Sequence, residues 1–130
     1  MSERFEAGMA VRREVLGDTY VDAALANVTE FSAELQTFVT EYCWGGIWTR
    51  EGLPRATRSL LNLAMITALN RPHELRAHVI GAVRNGCTDE QIREVLLQAM
   101  VYCGVPAGVD AFRVASAALT EAHAAEPNPT

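Results

Sequence analysis

The sequence predicts an all-α fold of about six to seven helices, formed by a single domain over residues 1–130. Apolar residues recur every three or four positions along most of the chain, which is the spacing of a helix with one buried face. Glycine, proline and capping residues separate these stretches, and no useful length alternates between apolar and polar residues as a strand does. A chain of 130 residues is long enough to bury a core without disulfides or metals.

Glycines end the first and third predicted helices. The first helix spans about 4–16 and ends at Gly17, since glycine readily adopts the positive φ of a helix C-terminus. The second spans about 18–26. The third spans about 29–44, carries apolar and aromatic residues at helical spacing, and breaks at Gly45-Gly46.

The middle of the chain is predicted to form the fourth and fifth helices. The fourth, about 55–69, is apolar almost all round after Ser59, and a helix of this kind is buried on several sides. The fifth has Pro72 in its first turn, where the missing N–H costs little, and ends at Asn85-Gly86.

Two further helices complete the prediction. The segment Thr88–Gln91 matches a capping box, which opens the sixth helix, and the apolar stripe of that helix runs to Cys103. Pro106 begins the seventh helix, which extends to about His123, and residues 124–130 are predicted to form a loose tail.

Composition and charge exclude several classes of function. The net charge is −5, and the sequence shows no concentrated basic face of the kind that a nucleic-acid binder needs. No segment is apolar for long enough to span a membrane, and the first residues do not resemble a signal peptide, so a cytoplasmic protein is expected. All 11 basic residues are arginine. Without lysine, neither a Schiff-base mechanism nor attachment of pyridoxal phosphate is available.

The three cysteines show no pairing pattern. Cys43, Cys87 and Cys103 are widely spaced and form no CxxC pair, so they indicate neither a zinc site nor a dithiol redox motif. Each is expected to be a small buried apolar residue in a reducing compartment. No recognisable metal-ligand spacing or glycine-rich phosphate loop is present.

One stretch of the fifth helix brings acid–base groups beside an apolar seam. At about 100° per residue, Arg71, Glu74 and His78 fall on one narrow sector next to Leu75 and Val79. His78 is the natural proton donor or acceptor near neutral pH. The alternative, slightly favoured by spacing alone, is a core histidine that bonds a backbone carbonyl. Glu74 could orient the imidazole or simply form an i,i+4 side-chain pair on the helix. Arg71 could bind a carboxylate or form a surface ion pair.

A second group of candidates lies on the third and fourth helices. Glu41 precedes Trp44 in an aromatic segment, so burial could raise its pKa and make it an acid, or it could be an exposed helix-end carboxylate. Arg58 is a second possible carboxylate clamp. Trp44 is more readily explained as a core or interface residue than as part of a site.

Long blocks of the chain resemble the carboxymuconolactone decarboxylase family. They include Val39–Gly45, Thr57–Met65, Ala68–Arg76 and Tyr102–Ala107, and the similarity covers nearly the whole chain. The resemblance implies an AhpD-like all-α fold and a homo-oligomer, usually a hexamer, that needs no metal or organic cofactor. It also implies decarboxylation of a small dianionic lactone, 4-carboxymuconolactone, to the β-ketoadipate enol-lactone in protocatechuate catabolism.

The resemblance also suggests roles for the candidate residues. Peroxidases of the wider superfamily carry a CxxCxxxH motif, and this chain keeps its histidine, His78, with Arg71 and Glu74 at the cysteine positions. His78 would then supply a proton or an oxyanion hydrogen bond, and Arg71 or Arg58 would bind the carboxylate that stays. Glu41 or Glu74 would orient the histidine or serve as the acid, and Trp44 would contact substrate.

Two other functions fit the same scaffold. A related lactone isomerase or hydrolase would release no carbon dioxide. A non-catalytic oligomer that binds small acids would bind its ligand tightly without turnover.

Overall fold

The structure, a computed structural model that describes residues 2–125, confirms the all-α prediction. Within these residues there are seven α-helices, one π-helical segment and no strand. In chain order they are α1 (Glu3–Leu16), α2 (Asp18–Ala26), α3 (Ala33–Phe38), the π-helical segment (Val39–Trp44), α4 (Arg55–Leu69), α5 (Pro72–Arg84), α6 (Asp89–Cys103) and α7 (Val105–Ala125).

Contacts divide the chain into two compact units, Met1–Arg55 and Ala56–Thr130. In the first unit, α1 packs closely against the π-helical segment. Gly8 makes this possible, because a Cβ at that position would collide with the carbonyl oxygen of Thr40 and lie 2.7 Å from the amide nitrogen of Gly45. The close crossing therefore depends on glycine at this position.

The third helix differs from its prediction at both ends. It begins at Ala33 rather than Thr29, because the N–H of Thr29 donates to the hydroxyl of Ser32 at 2.9 Å and the backbone turns there. Such local bonds compete with helix formation. Its last part winds as a π-helix, in which the N–H of Gly45 reaches back five residues to the carbonyl of Thr40 at 2.9 Å.

In the second unit, α5 and α6 pack against α7 around one apolar core. A hydrogen bond of 2.8 Å from Asn85 Nδ2 to the buried hydroxyl of Ser59 joins the end of α5 to the start of α4. Because only Asn70 and Arg71 separate the other two ends, the two helices run antiparallel. The buried core residues of the unit are Leu63, Leu75, Val79, Ala82, Cys87, Ile92, Leu96, Ala111, Ala115 and Ala118.

The prediction that α4 is buried on several sides is wrong for one face. Leu61, Met65 and Leu69 recur every four residues along α4, and each is about half exposed, at 48%, 54% and 64%. Sequence alone shows that a helix is apolar, whereas its exposure depends on whether another element covers it. Uncovered apolar faces of this kind are typical of surfaces that bind a partner or another subunit.

The cysteine prediction holds for one residue of three. Cys87 is buried, and its thiol donates to the carbonyl of Ala56 at 3.4 Å. Cys43 and Cys103 are exposed, so the expectation that they are buried is wrong. Both lie at the ends of helices, where the packed face gives way to the surface.

The seventh helix is longer than predicted. It begins at Val105 and continues through Ala125, so Ala124 and Ala125 are helical rather than part of a loose tail. Residues 126–130 lie outside the part of the chain that the structure describes.

Candidate functional site

His78 lies on α5 and is largely buried beside the apolar core of the second unit. Its neighbours Ala77 and Val79 are buried, and its Nδ1 atom has almost no accessible surface. Burial lowers the pKa of His78, and the carboxylate of Glu74 partly opposes that effect. At neutral pH the imidazole is therefore neutral, with one N–H donor and one acceptor nitrogen.

Glu74 lies one turn before His78 and is exposed. It acts on the imidazole through its charge, as the opposing influence on the His78 pKa shows. A carboxylate here would stabilise any positive charge that develops on the ring. The structure thus brings Glu74 and His78 onto one side of α5.

The helical spacing does not give the position of Arg71 correctly. It is the N-cap residue of α5, with φ −115° and ψ 83°, because Pro72 occupies the first position of the helix. The 100° rotation per residue therefore does not extend back to Arg71. Its side chain is exposed, and Nη1 donates to the carbonyl of Leu69 at 3.2 Å. It also lines a narrow crevice that includes Asp110 of α7.

Arg58 is in the first turn of α4 and is half-buried, with its Nε atom almost fully buried. The next residue is Ser59, whose hydroxyl accepts the hydrogen bond from Asn85. This bond fixes α4 against the C-terminal end of α5, so the backbone that carries Arg58 is anchored within the second unit.

Glu41 and Trp44 belong to the first unit and both lie in the π-helical segment. Glu41 is half-buried and lines an open depression of about 650 Å³, which Phe38 and Tyr42 also line. Trp44 is buried, with 3% of its surface exposed, and stacks on Trp48 with ring centroids 5.1 Å apart. Its indole therefore has the packing of a core residue.

The helical pattern did not single out Arg12, although the structure gives it an unusual position. Arg12 is a buried residue of α1, only 6% exposed, whereas the neighbouring Arg13 is paired with Asp18 and Asp22. The signal in the sequence is its place on the buried face of α1, one turn before Val15 and Leu16. A charged residue on such a face needs a specific reason.

The described residues hold no group of three or more histidine, cysteine, aspartate or glutamate side chains arranged to bind a metal ion. None of the helices from α1 to α7 has the length and apolar character needed to cross a membrane. A groove of about 400 Å³ lies between α4 and α6 and is mainly apolar, with Leu61 and Tyr102 among its walls.

A titration of His78 tests its burial directly. We expect its midpoint, followed by the imidazole C–H resonances in NMR spectra, to lie below that of the same chain unfolded in denaturant, near 6.5. Because the unfolded state then binds the proton more readily, the contribution of His78 to the free energy of unfolding is complete above about pH 6.5. It is lost progressively as the pH falls toward the folded pKa. A folded midpoint at or above the unfolded one would contradict the burial.

Comparison with known proteins assigns the chain to a family. Residues 33–117 match the model of the carboxymuconolactone decarboxylase family. The chain is 40% identical over 113 residues to the 4-carboxymuconolactone decarboxylase of Acinetobacter baylyi, covering 87% of this chain and 84% of that one. It is 46% identical over 110 residues to the nitrosuccinic acid decarboxylase of Metarhizium robertsii, covering 85% of this chain and 77% of that one. The all-α architecture, the family model and these two relatives agree, and the chain is a member of the carboxymuconolactone decarboxylase family.

Proposed function

We propose that the protein is a carboxy-lyase that converts 4-carboxymuconolactone to the β-ketoadipate enol-lactone and carbon dioxide. The observation that carries the proposal is the 40% identity to the Acinetobacter baylyi decarboxylase over 84% of that enzyme's length. The match to the family model extends over parts of both compact units.

The substrate itself can accept the electrons that carbon dioxide leaves behind. The departing carboxylate is on a ring carbon joined through a double bond to the lactone carbonyl. When the C–C bond breaks, its electron pair moves through the double bond into the carbonyl and forms an extended enolate. A proton added next to the carbonyl then gives the enol-lactone. The protein must hold a dianion, stabilise a developing oxyanion and deliver one proton.

Within this proposal His78 donates a hydrogen bond to the developing oxyanion. Burial supports this role, because a lowered pKa keeps the imidazole neutral near pH 7 and leaves it one N–H to donate. A neutral donor held in a dry environment favours the charged transition state over the ground state. Direct proton delivery by His78 would require the less populated imidazolium.

The remaining roles are proposed from the charge of the side chains. Arg71 or Arg58 binds the carboxylate that the substrate retains, since a guanidinium fork matches a carboxylate. Glu74 holds the orientation of His78 or serves as the acid, and Glu41 is the alternative acid. Trp44 is the proposed substrate contact, although it is buried and stacks on Trp48 as a core residue does.

The fungal relative supports a second substrate, nitrosuccinate. The identity to the nitrosuccinic acid decarboxylase is 46% over 85% of this chain. The chemistry is parallel: the departing carboxylate is on the carbon that bears the nitro group, and the electron pair moves into the nitro group to form a nitronate. A dianionic acid with its own electron acceptor is thus the substrate class in both cases.

Measured release of carbon dioxide from the two candidate acids tests the proposal. We expect the purified protein to release carbon dioxide and enol-lactone from 4-carboxymuconolactone, with no loss of rate after treatment with a metal chelator and dialysis. Faster turnover of nitrosuccinate would assign the protein to the second activity. Ring opening without gas release would indicate a lactone hydrolase instead, and tight binding without turnover would indicate a binding protein.

We also propose that the protein is a homo-oligomer, with a hexamer as the expected form and the cytoplasm as its expected location. Exposed apolar side chains on α4 and α6 support the assembly, since Leu61 and Tyr102 line one groove and Val101 is 78% exposed. Apolar surface of this kind is typical of subunit interfaces.

A charged residue on the α4 face tests whether it is a subunit interface. We expect Met65→Glu to lower the molecular mass measured by light scattering, because a carboxylate would be buried without a partner. Ala117→Glu, which adds the same charge at an exposed position of α7, serves as the control. An unchanged mass for Met65→Glu would remove this face from the interface.

A further inference from the structure

The first unit contains a buried cation that has no carboxylate partner. Arg12 is 6% exposed, and none of the described carboxylates forms an ion pair with it. Three carboxylates of the same unit pair with other arginines: Asp18 and Asp22 pair with Arg13, and Glu14 pairs with Arg55. Since acidic residues outnumber basic ones by 16 to 11, this is not a shortage of carboxylates in the chain.

The guanidinium makes two hydrogen bonds, both donated by one of its nitrogens and both to neutral groups. Nη1 of Arg12 donates to Oε1 of Gln36 at 2.9 Å and, more weakly, to the hydroxyl of Thr40 at 3.4 Å. The Thr40 hydroxyl is itself oriented, because it donates to the carbonyl of Gln36 at 2.7 Å. These bonds hold the plane of the guanidinium in a fixed orientation.

The opposite edge of the guanidinium donates to none of residues 2–125. Its Nε atom is buried without a hydrogen bond, and Nη2, which is not among the fully buried atoms, bonds none of them either. These two nitrogens present a parallel pair of N–H donors, which matches the two oxygens of a carboxylate. A buried charge left without an anion is costly, and arginine does not relieve the cost by losing its proton.

We propose that the Nε–Nη2 edge of Arg12 binds the carboxylate group of a small organic acid. The carboxylate belongs either to the dianionic substrate, in which case the inference rests on the proposed function, or to a separate acid that binds the same edge. In either case Gln36 and Thr40 are positioning residues that orient the fork without contacting the acid. The titratable groups whose charges act on Arg12 are Tyr20, Cys43 and Arg13, and none of the described carboxylates is among them.

The variant Gln36→Glu tests the proposal with little change in shape. It places a carboxylate on Nη1, where Gln36 now accepts, so the guanidinium gains an internal counter-ion. Binding of succinate, a dicarboxylate with no electron acceptor, is measured by calorimetry. We expect its dissociation constant to rise about tenfold or more in Gln36→Glu, because the added charge repels the acid and satisfies the cation. Ala33→Glu adds the same charge at an exposed position of α3 and should leave binding nearly unchanged.

A second variant separates charge from shape. Arg12→Lys keeps a positive charge but loses the fork, and we expect it also to weaken succinate binding about tenfold. If the wild-type protein does not bind succinate, or if Gln36→Glu binds it as tightly as the wild type, the proposal is overturned. A drop in affinity equal to that of Ala33→Glu would overturn it as well.

Inhibition kinetics distinguish the two sources of the carboxylate. Competitive inhibition by succinate that weakens in Gln36→Glu would identify the group as the substrate's own. Binding that weakens in Gln36→Glu without inhibition of turnover would identify a separate acid. Because calorimetry needs no turnover, failure of the decarboxylase assay would leave the binding result interpretable.

Discussion

Replacing His78 with leucine is expected to lower kcat by a factor of about 10² to 10⁴, with the fold retained. Leucine is close to imidazole in size and suits a position between the buried residues Ala77 and Val79. It removes the N–H that would stabilise the developing oxyanion. The measurement is the rate of carbon dioxide release at saturating substrate, with thermal unfolding recorded to show that the variant is folded.

Two further variants make the result specific. His73→Leu removes a histidine from an exposed position of the same helix and should leave kcat nearly unchanged. His78→Gln keeps an amide N–H at a similar reach, so it should recover part of the rate if His78 donates a hydrogen bond and little if it transfers a proton. Near-normal turnover by His78→Leu would remove this residue from the mechanism.

The largest expected effect on stability is at Gly8. A methyl group in Gly8→Ala would collide with the backbone of Thr40 and Gly45 rather than with a flexible side chain. Since neither backbone can rotate away, α1 must separate from the π-helical segment. We expect the free energy of unfolding to fall by about 3 kcal/mol or more, measured by urea denaturation.

Gly52→Ala is the matched control. No atom lies within 4 Å of the position that its Cβ would occupy, so the free energy of unfolding should change by no more than about 0.5 kcal/mol. Equal effects of the two alanine substitutions would show that the contact between α1 and the π-helical segment is looser than the structure indicates.

The helices could be predicted because their punctuation is local. The capping box at Thr88 forms as expected, with both the hydroxyl of Thr88 and the side chain of Gln91 bonded to backbone N–H groups. Gly17 and Gly86 adopt positive φ at helix ends, as glycine there suggests. Signals of this kind act over a few residues, so they remain readable without the tertiary structure.

The features that could not be predicted depend on longer-range packing. The π-helical turn at Val39–Trp44 has the same apolar spacing as an α-helix, so the pattern does not distinguish the two. Exposure of Leu61 and Met65 depends on what covers α4. The position of Arg71 was predictable, because Pro72 marks the first helical position and leaves Arg71 as the N-cap, outside the helical rotation.

The candidate site was predictable only in part. His78 could be selected from its chemistry and its place beside an apolar seam, whereas the lowered pKa follows from the depth of burial that the fold creates. Its catalytic role, like those of Glu41, Glu74, Arg58, Arg71 and Trp44, stays a prediction. The sequence does not indicate the position of Arg12, because arginine on a helix is usually a surface residue and its contacts with Gln36 and Thr40 lie more than twenty positions away.

The wide turn at Val39–Trp44 has a consequence for how this chain can change in length. A hydrogen bond to the fifth residue accommodates one residue more than the usual fourth-residue bond. Deleting a single codon within this turn would let the segment close as an ordinary α-helix while its flanks keep their neighbours. Only residues of the turn itself would then rotate, by about 100° relative to both flanks. Glu41 could thus be turned toward or away from its present surroundings by an insertion or deletion of one amino acid, with no substitution at all.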